Sequence, residues 1–127
     1  MISIIKSDVQ LSDITTIKLG GTAKYFAQFN NVYELRQLLQ FAKKENLKIQ
    51  IVGGGSNIIF PDDGFKGLVL KNHIKELNYA VNDHDVFLKA GGGNNWEELV
   101  SFCVNEGVQG IECLSGISPG IYFLPYW

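Results

Sequence analysis

Apolar residues at helical spacing predict two helices in the chain. One pattern begins after Asn31 and the other after Asn95, and in each a glutamate, Glu34 or Glu98, stands three residues further on, as in a capping box. Gly107 suits the end of the second helix. The two apolar stripes comprise Leu35, Leu38, Leu39 and Ala42 in the first helix, and Trp96, Leu99, Val100, Cys103 and Val104 in the second.

Short apolar runs bounded by Gly, Asn and Asp predict strands around these helices. Because several strands follow one another without an intervening helix, the order favours an α+β domain over a strictly alternating, doubly wound sheet. The predicted strands are Tyr25 to Phe29, Leu47 to Val52, Ile58 to Phe60, Leu68 to Leu70, Leu77 to Val81 and Val86 to Ala90.

Composition indicates one folded domain. The 127 residues are 46% hydrophobic and 19% charged, and the net charge of -2 offers no basic surplus for nucleic acid. The opening Met1 to Lys6 lacks the pattern of a signal peptide, and no stretch approaches the roughly 20 apolar residues of a membrane helix. We therefore expect a cytoplasmic protein without nucleic acid or membrane partners. Cys103 and Cys113 lack metal-site spacing and are expected to be buried, reduced thiols.

A glycine-rich loop, Val52-Gly-Gly-Gly-Ser-Asn57, joins two of the predicted strands. Glycines let several backbone N–H groups point at one spot and let an anion approach closely, so the loop suits phosphate oxygens. It is neither a Walker loop, which needs Gly-Lys-Ser/Thr, nor a Rossmann fingerprint, because Ile58 stands where the third glycine belongs. On local chemistry alone, a tight hairpin turn explains the loop equally well.

A second glycine run, Ala90-Gly-Gly-Gly-Asn-Asn-Trp96, leads from a predicted strand into the second helix. Taken alone, it is a connection that needs unusual backbone dihedrals. Two such runs in one short domain favour ligand binding over a purely structural role for the glycines.

Taken together, these segments resemble the UDP-N-acetylenolpyruvoylglucosamine reductase family, flavoenzymes of peptidoglycan synthesis. The resemblance covers residues 10 to 117 in the family's order, which is more specific than any single loop. The matching stretches are Thr16-Ile-Lys-Leu-Gly-Gly-Thr-Ala-Lys-Tyr-Phe26, Val52 to Asn57 followed by Asp63-Gly-Phe-Lys-Gly67, Ala90-Gly-Gly-Gly with Trp96 and Leu99-Val100, and Gly107-Val-Gln-Gly-Ile-Glu-Cys-Leu-Ser-Gly-Ile117.

The resemblance implies an FAD-binding domain of the vanillyl-alcohol-oxidase (PCMH) type over residues 1–117, comprising the first subdomain and the start of the second, with a subdomain break near 70–75. It implies noncovalent FAD, NADPH as hydride donor and a UDP-sugar substrate in the complete enzyme. The implied cofactor-binding residues are Val52, Gly53, Gly54, Gly55, Ser56 and Asn57 at the pyrophosphate, and Ser115, Gly116 and Ile117 near the flavin. No residue here matches the family's catalytic positions, and no metal site is implied.

The sequence departs from the family's pattern at Ser118, where family members continue directly into Pro-Gly. Residues 118–127 are therefore interpreted as an aberrant tail, from a frameshift, a truncation or a genuine short variant. We expect this chain alone to be inactive. Two alternatives stay open: an inactive FAD-binding fragment, or another oxidase of the same superfamily. We expect self-association through the tail's aromatic side chains, which are Tyr122, Phe123, Tyr126 and Trp127.

Overall fold

A computed structural model describes residues 5–115 of the chain. In chain order its elements are β1 (Lys6–Gln10), β2 (Thr22–Phe29), α1 (Val32–Lys44), β3 (Ile49–Val52), β4 (Phe65–Asn72), β5 (Leu77–Asn82), β6 (Asp85–Ala90) and α2 (Trp96–Asn105). Short 3₁₀ turns follow β1 and α2, at Leu11–Asp13 and Glu112–Leu114. Within the described residues, neither helix is long and apolar enough to cross a bilayer.

Both predicted helices are confirmed, and both begin at the expected asparagine. The Asn31 side chain accepts a hydrogen bond from the Glu34 N–H at 2.9 Å. In α2 both hydrogen bonds of the capping box are present. Glu98 N–H donates to Asn95 Oδ1 at 2.7 Å, and Asn95 N–H donates to Glu98 Oε2 at 3.1 Å. In α1 the Glu34 carboxylate instead accepts from the Asn30 N–H at 2.7 Å, one residue earlier than the sequence pattern implies.

Each helix ends in a residue with left-handed backbone, Asn46 (φ 50°) after α1 and Gly107 (φ 70°) after α2. In both cases the N–H of the following residue reaches back to a carbonyl of the last helical turn, with Val108 N–H donating to Cys103 O at 2.8 Å. This is the Schellman arrangement, and it explains why asparagine and glycine stand at these positions.

The strands of the first half form a mixed sheet in the order β1-β2-β4-β3. β4 lies parallel to both β2 and β3, while β1 is an antiparallel edge strand. α1 packs on one face over a buried cluster of Ala27, Phe29, Leu38, Ala42, Leu68 and Leu70. The opposite face carries a second cluster of Leu11, Ala23, Val52, Phe60 and Val69.

The expected strand at Ile58 to Phe60 is wrong, and so is the alternative of a hairpin turn at the glycine loop. β3 and β4 are parallel, so residues 53–64 must carry the chain back along the sheet to the start of β4. Phe60 is buried in this crossing segment, because it covers the face opposite α1 without joining the sheet. The apolar residues 58–60 thus indicated a buried segment and not a paired strand.

The second half begins with a separate two-stranded antiparallel sheet, β5-β6, followed by α2. The first sheet ends at Asn72 and the second begins at Leu77. The α+β class is confirmed by this arrangement, whereas the subdomain break near 70–75 stays a prediction. Residues 116–127, with Gly116, Ile117 and the tail, lie outside the described residues.

Candidate functional site

The glycine loop begins where β3 ends, beside the end of the neighbouring strand β4. Val52 and Lys71 are paired residues in the parallel β3-β4 ladder. Gly53 therefore leaves the sheet beside Asn72, the last residue of β4, at the carboxyl ends of parallel strands, where open α/β sheets commonly bind their ligands.

The two glycine runs meet at this edge. Gly53 and Gly54 of the first run and Gly92 and Gly93 of the second line one cavity of about 170 Å³. The structure therefore brings the two runs together in space, which was not predicted from the sequence. The remaining lining residues are Lys71, Asn72, His73, Lys75, Asn94 and Asn95.

Three of the six glycines in the two runs are required by the fold. Gly55 has φ 75°, and a Cβ there would collide with the Ile14 carbonyl. Side chains at Gly91 and Gly93 would collide with the backbone of Ile74 and of His73 respectively. These positions confirm the structural interpretation of the second run as a tight strand-to-helix connection.

Gly53 is different, because neither packing nor backbone conformation requires a glycine there. A Cβ at Gly53 would meet no atom within 4 Å, and its φ is not in the left-handed region. An open glycine that faces a cavity is what close approach of a ligand demands. At Gly92 a Cβ would come 2.6 Å from Asn72 Nδ2, so this glycine also keeps the cavity open.

Backbone donors are available at the same place. Within residues 5–115, the N–H groups of Gly53 and Gly54 have no hydrogen-bond acceptor. The loop is anchored to the segment after β1, because Thr16 N–H donates to the Gly55 carbonyl at 2.9 Å. Two unpaired N–H groups on an anchored loop can bind an anion without rearrangement.

Charge in the cavity comes from two lysines, which differ in their surroundings. Lys75 Nζ lies 2.7 Å from Glu98 Oε1, so its charge is compensated. The hydrogen bond from Lys75, followed by one from the Asn95 backbone, lowers the pKa of Glu98. Among the described residues Lys71 has no ion-pair partner.

The remaining predicted site residues are distributed unevenly. Val52 is buried at the end of β3, Ser56 is half-buried and Asn57 is exposed. Ser115 is exposed and donates through Oγ to Glu97 Oε2 at 2.7 Å, which places it at the same end of α2 as the cavity. Ser115 does not line the cavity itself. Gly116 and Ile117 lie outside the described residues.

The cysteines are both free thiols, but only Cys103 is buried. The expectation that Cys113 is buried is wrong, because it lies in the exposed 3₁₀ turn after α2. Glu112 in that turn accepts a hydrogen bond from the Gly110 N–H at 2.9 Å and so stabilises the segment before the turn.

A protein-family model for an FAD binding domain matches residues 23–121. The chain belongs to the FAD-binding domain family. The matched residues 23–121 include both glycine runs, and the fold class agrees with the family.

Individual relatives indicate which FAD-binding proteins the chain resembles. UDP-N-acetylenolpyruvoylglucosamine reductase from Thermobifida fusca is 37% identical over 114 residues, which cover 89% of this chain and 32% of that protein. The enzyme of the same name from Amoebophilus asiaticus is 35% identical over 117 residues, which cover 91% of this chain and 34% of that protein. The suspected relationship to this reductase family is confirmed. The chain spans about a third of the length of these relatives.

The crystal structure of UDP-N-acetylenolpyruvylglucosamine reductase from Thermus caldophilus shares the fold. It superposes with a TM-score of 0.70 at 22% identity, over 94% of this chain and 40% of that one. The match supports the FAD-binding fold described above.

The residues present fit a diphosphate-bearing cofactor. Counting partners among residues 5–115 only, the cavity has two unpaired backbone N–H donors, an open glycine and one lysine without an ion pair, all at the carboxyl ends of two parallel strands. Sequence reasoning found the glycines but missed Lys71 and Asn72, because an isolated lysine at a strand end has no distinguishing pattern. The register of β3 against β4 is what brings them to the loop.

Proposed function

We propose that this chain supplies the pyrophosphate-binding part of an FAD-dependent reductase that acts on an enolpyruvyl UDP-sugar. The observation that carries the proposal is the cavity in which Gly53 and Gly54 face Gly92 and Gly93. The relatives' names support the substrate class, and the family supports FAD.

In this proposal the chain binds and positions the cofactor. The N–H groups of Gly53 and Gly54 hold phosphate oxygens, with Ser56 and Asn57 adding side-chain donors beside them. Ser115, Gly116 and Ile117 stay predicted contacts near the flavin, and the last two lie outside the described residues. FAD held by these residues would supply the hydride-transfer chemistry between NADPH and the enolpyruvyl substrate.

We further propose that this chain alone binds FAD without completing the reaction. It spans about a third of the relatives' length, and none of its residues is assigned a catalytic role. The cytoplasm is the expected compartment, because Cys103 and Cys113 are unpaired thiols.

Titration of the 127-residue chain with FAD, followed by flavin fluorescence, tests this function. We expect saturable binding that ADP displaces and riboflavin does not, because the contacts proposed here are to the phosphates. Gly53→Ala should weaken FAD binding by at least about ten-fold, or 1.4 kcal/mol. Ser101→Ala, an exposed position on α2, is the matched control and should bind as the parent does.

A parent chain that shows no FAD binding would overturn the proposed function. Addition of NADPH and the enolpyruvyl UDP-sugar to the FAD-loaded chain tests the expected inactivity separately. Sustained NADPH oxidation that depends on the enolpyruvyl UDP-sugar and yields its reduced product would contradict the expected inactivity.

A further inference from the structure

Lys71 occupies a special position in the sheet. Along β4, Leu68 and Leu70 face α1 while Val69 faces the opposite side, so alternation places Lys71 on the side of Val69. Lys71 is half-buried there, at the end of the strand and directly beside Val52.

The glycine loop separates two cavities. Besides the cavity of about 170 Å³ that joins the glycine runs, a second of about 390 Å³ lies towards the segment after β1. Gly54 and Lys71 line both cavities. The second cavity's other lining residues are Asp13, Ile14, Thr15, Thr16 and Lys18.

A ligand that extends through both cavities must pass between or beside Gly54 and Lys71. FAD is an extended dinucleotide whose two ring-bearing halves are joined by a diphosphate at its midpoint. The position shared by the two cavities is therefore where the diphosphate of such a ligand would lie.

The charges lining these cavities single out Lys71. In the smaller cavity, Lys75 is paired with Glu98 at 2.7 Å. In the larger, Lys18 and Asp13 both belong to the segment after β1 and form no ion pair with each other. Lys71 has no ion-pair partner within residues 5–115, and of these three lysines it is the one that lines both cavities.

We propose that Lys71 Nζ is the counter-charge for the diphosphate of the dinucleotide, acting together with the N–H groups of Gly53 and Gly54. This inference rests on the proposed function and adds the residue that recognises the ligand's charge. An ammonium beside two backbone donors favours a diphosphate over an uncharged nucleoside, because only the former has charge to neutralise.

Calorimetric titration of the full chain with FAD, ADP and adenosine tests the inference. Lys71→Met keeps most of the aliphatic stem and removes the charge. We expect it to lower affinity for FAD and ADP by about ten-fold and to leave adenosine binding unchanged. Lys71→Arg should retain affinity within about three-fold, because it restores the charge.

Lys66→Met is the matched control, since Lys66 is an exposed lysine of the same strand. Circular dichroism and thermal unfolding verify that each variant is folded. Rising salt should weaken ADP binding by the parent more than by Lys71→Met, because screening acts on the charge that the variant lacks.

The outcomes separate this inference from the proposed function. If the parent binds FAD and ADP competes, but Lys71→Met behaves as Lys66→Met does, the inference is wrong and the function stands. Equal losses for ADP and adenosine would also overturn it, since they indicate a distorted cavity. A parent that binds neither FAD nor ADP would overturn both.

Discussion

The carbonyl oxygen of Ile14 fills the space that a side chain on Gly55 would need. One residue further on, Thr16 N–H donates to the Gly55 carbonyl at 2.9 Å, so the glycine loop is fastened to the segment after β1. The loop that carries the proposed phosphate donors is thus anchored at its third glycine, while its first glycine faces open space.

Gly55→Ala should therefore destabilise the fold. The substitution combines a left-handed φ of 75° with a backbone collision, and we expect a loss of at least about 2 kcal/mol in the free energy of unfolding. Urea denaturation followed by circular dichroism measures it. Gly53→Ala is the matched control and should change stability by no more than about 0.5 kcal/mol. Equal losses at the two positions would contradict the assignment of their roles.

The Glu98 carboxyl should titrate below its ordinary value of 4.5, chiefly because Lys75 donates a hydrogen bond to it. A lowered pKa in the folded state adds stability that is present above pH 4.5 and is lost as pH falls through the folded-state pKa. Both side chains are more than a third exposed, so the contribution should stay below about 1 kcal/mol.

Carboxyl NMR titration of Lys75→Met should move the Glu98 pKa upwards, towards 4.5. Lys89→Met, which breaks the similar pair with Glu76, is the control and should leave Glu98 unchanged. An unshifted Glu98 in the parent chain would show that the Lys75 contact does not persist in solution.

The two thiols should react at very different rates. Burial, followed by the nearby charge of Glu112, raises the pKa of Cys103, whereas Cys113 is exposed. A thiol reagent at neutral pH should modify one thiol rapidly in the native chain and the second only on unfolding. Cys113→Ser should remove the fast phase. Rapid modification of both thiols in the folded parent would refute the buried position of Cys103.

Self-association remains a prediction from the aromatic composition of residues 118–127. Sedimentation equilibrium of the parent should show dimers or larger species, and replacing Tyr122, Phe123, Tyr126 and Trp127 by serine should abolish them. Phe87→Ser is an informative control, because Phe87 on β6 is 61% exposed. If only that variant became monomeric, the β5-β6 sheet and not the tail would form the contact.

The helices could be predicted from sequence because their signals are local. Asn31, Asn95 and the apolar stripes act within a few residues of one another, so no knowledge of the fold was needed. Leu39 is an instructive exception: it is exposed, while Phe41 packs edge-to-face on Tyr25 with ring centroids 5.6 Å apart. The exact orientation of the stripe depends on the sheet beneath it.

The strands were predicted less well because pairing is not local. Edge strand β1 was missed, since most of its residues are exposed and polar and Asp8 interrupts it with φ 54°. The bulge between Ala23 and Tyr25 shifts which residues of β2 face α1, and nothing in the alternation of the sequence indicates it.

The candidate site was only half predictable for the same reason. The glycines are visible as a motif, but Lys71 joins them through the β3-β4 register, which sequence periodicity does not specify. The meeting of the two glycine runs likewise depends on how β4 leads, through residues 73–76, to the β5-β6 sheet and α2.

The central claim is that the two glycine runs form one FAD site. Amide chemical-shift mapping of the ¹⁵N-labelled chain during FAD titration tests it most directly. We predict the largest shifts at Gly53, Gly54, Gly92 and Gly93, a subset of the same shifts with ADP, and none at the β5-β6 turn around Asp83. Shifts confined to one glycine run, or located elsewhere in the chain, would contradict the claim.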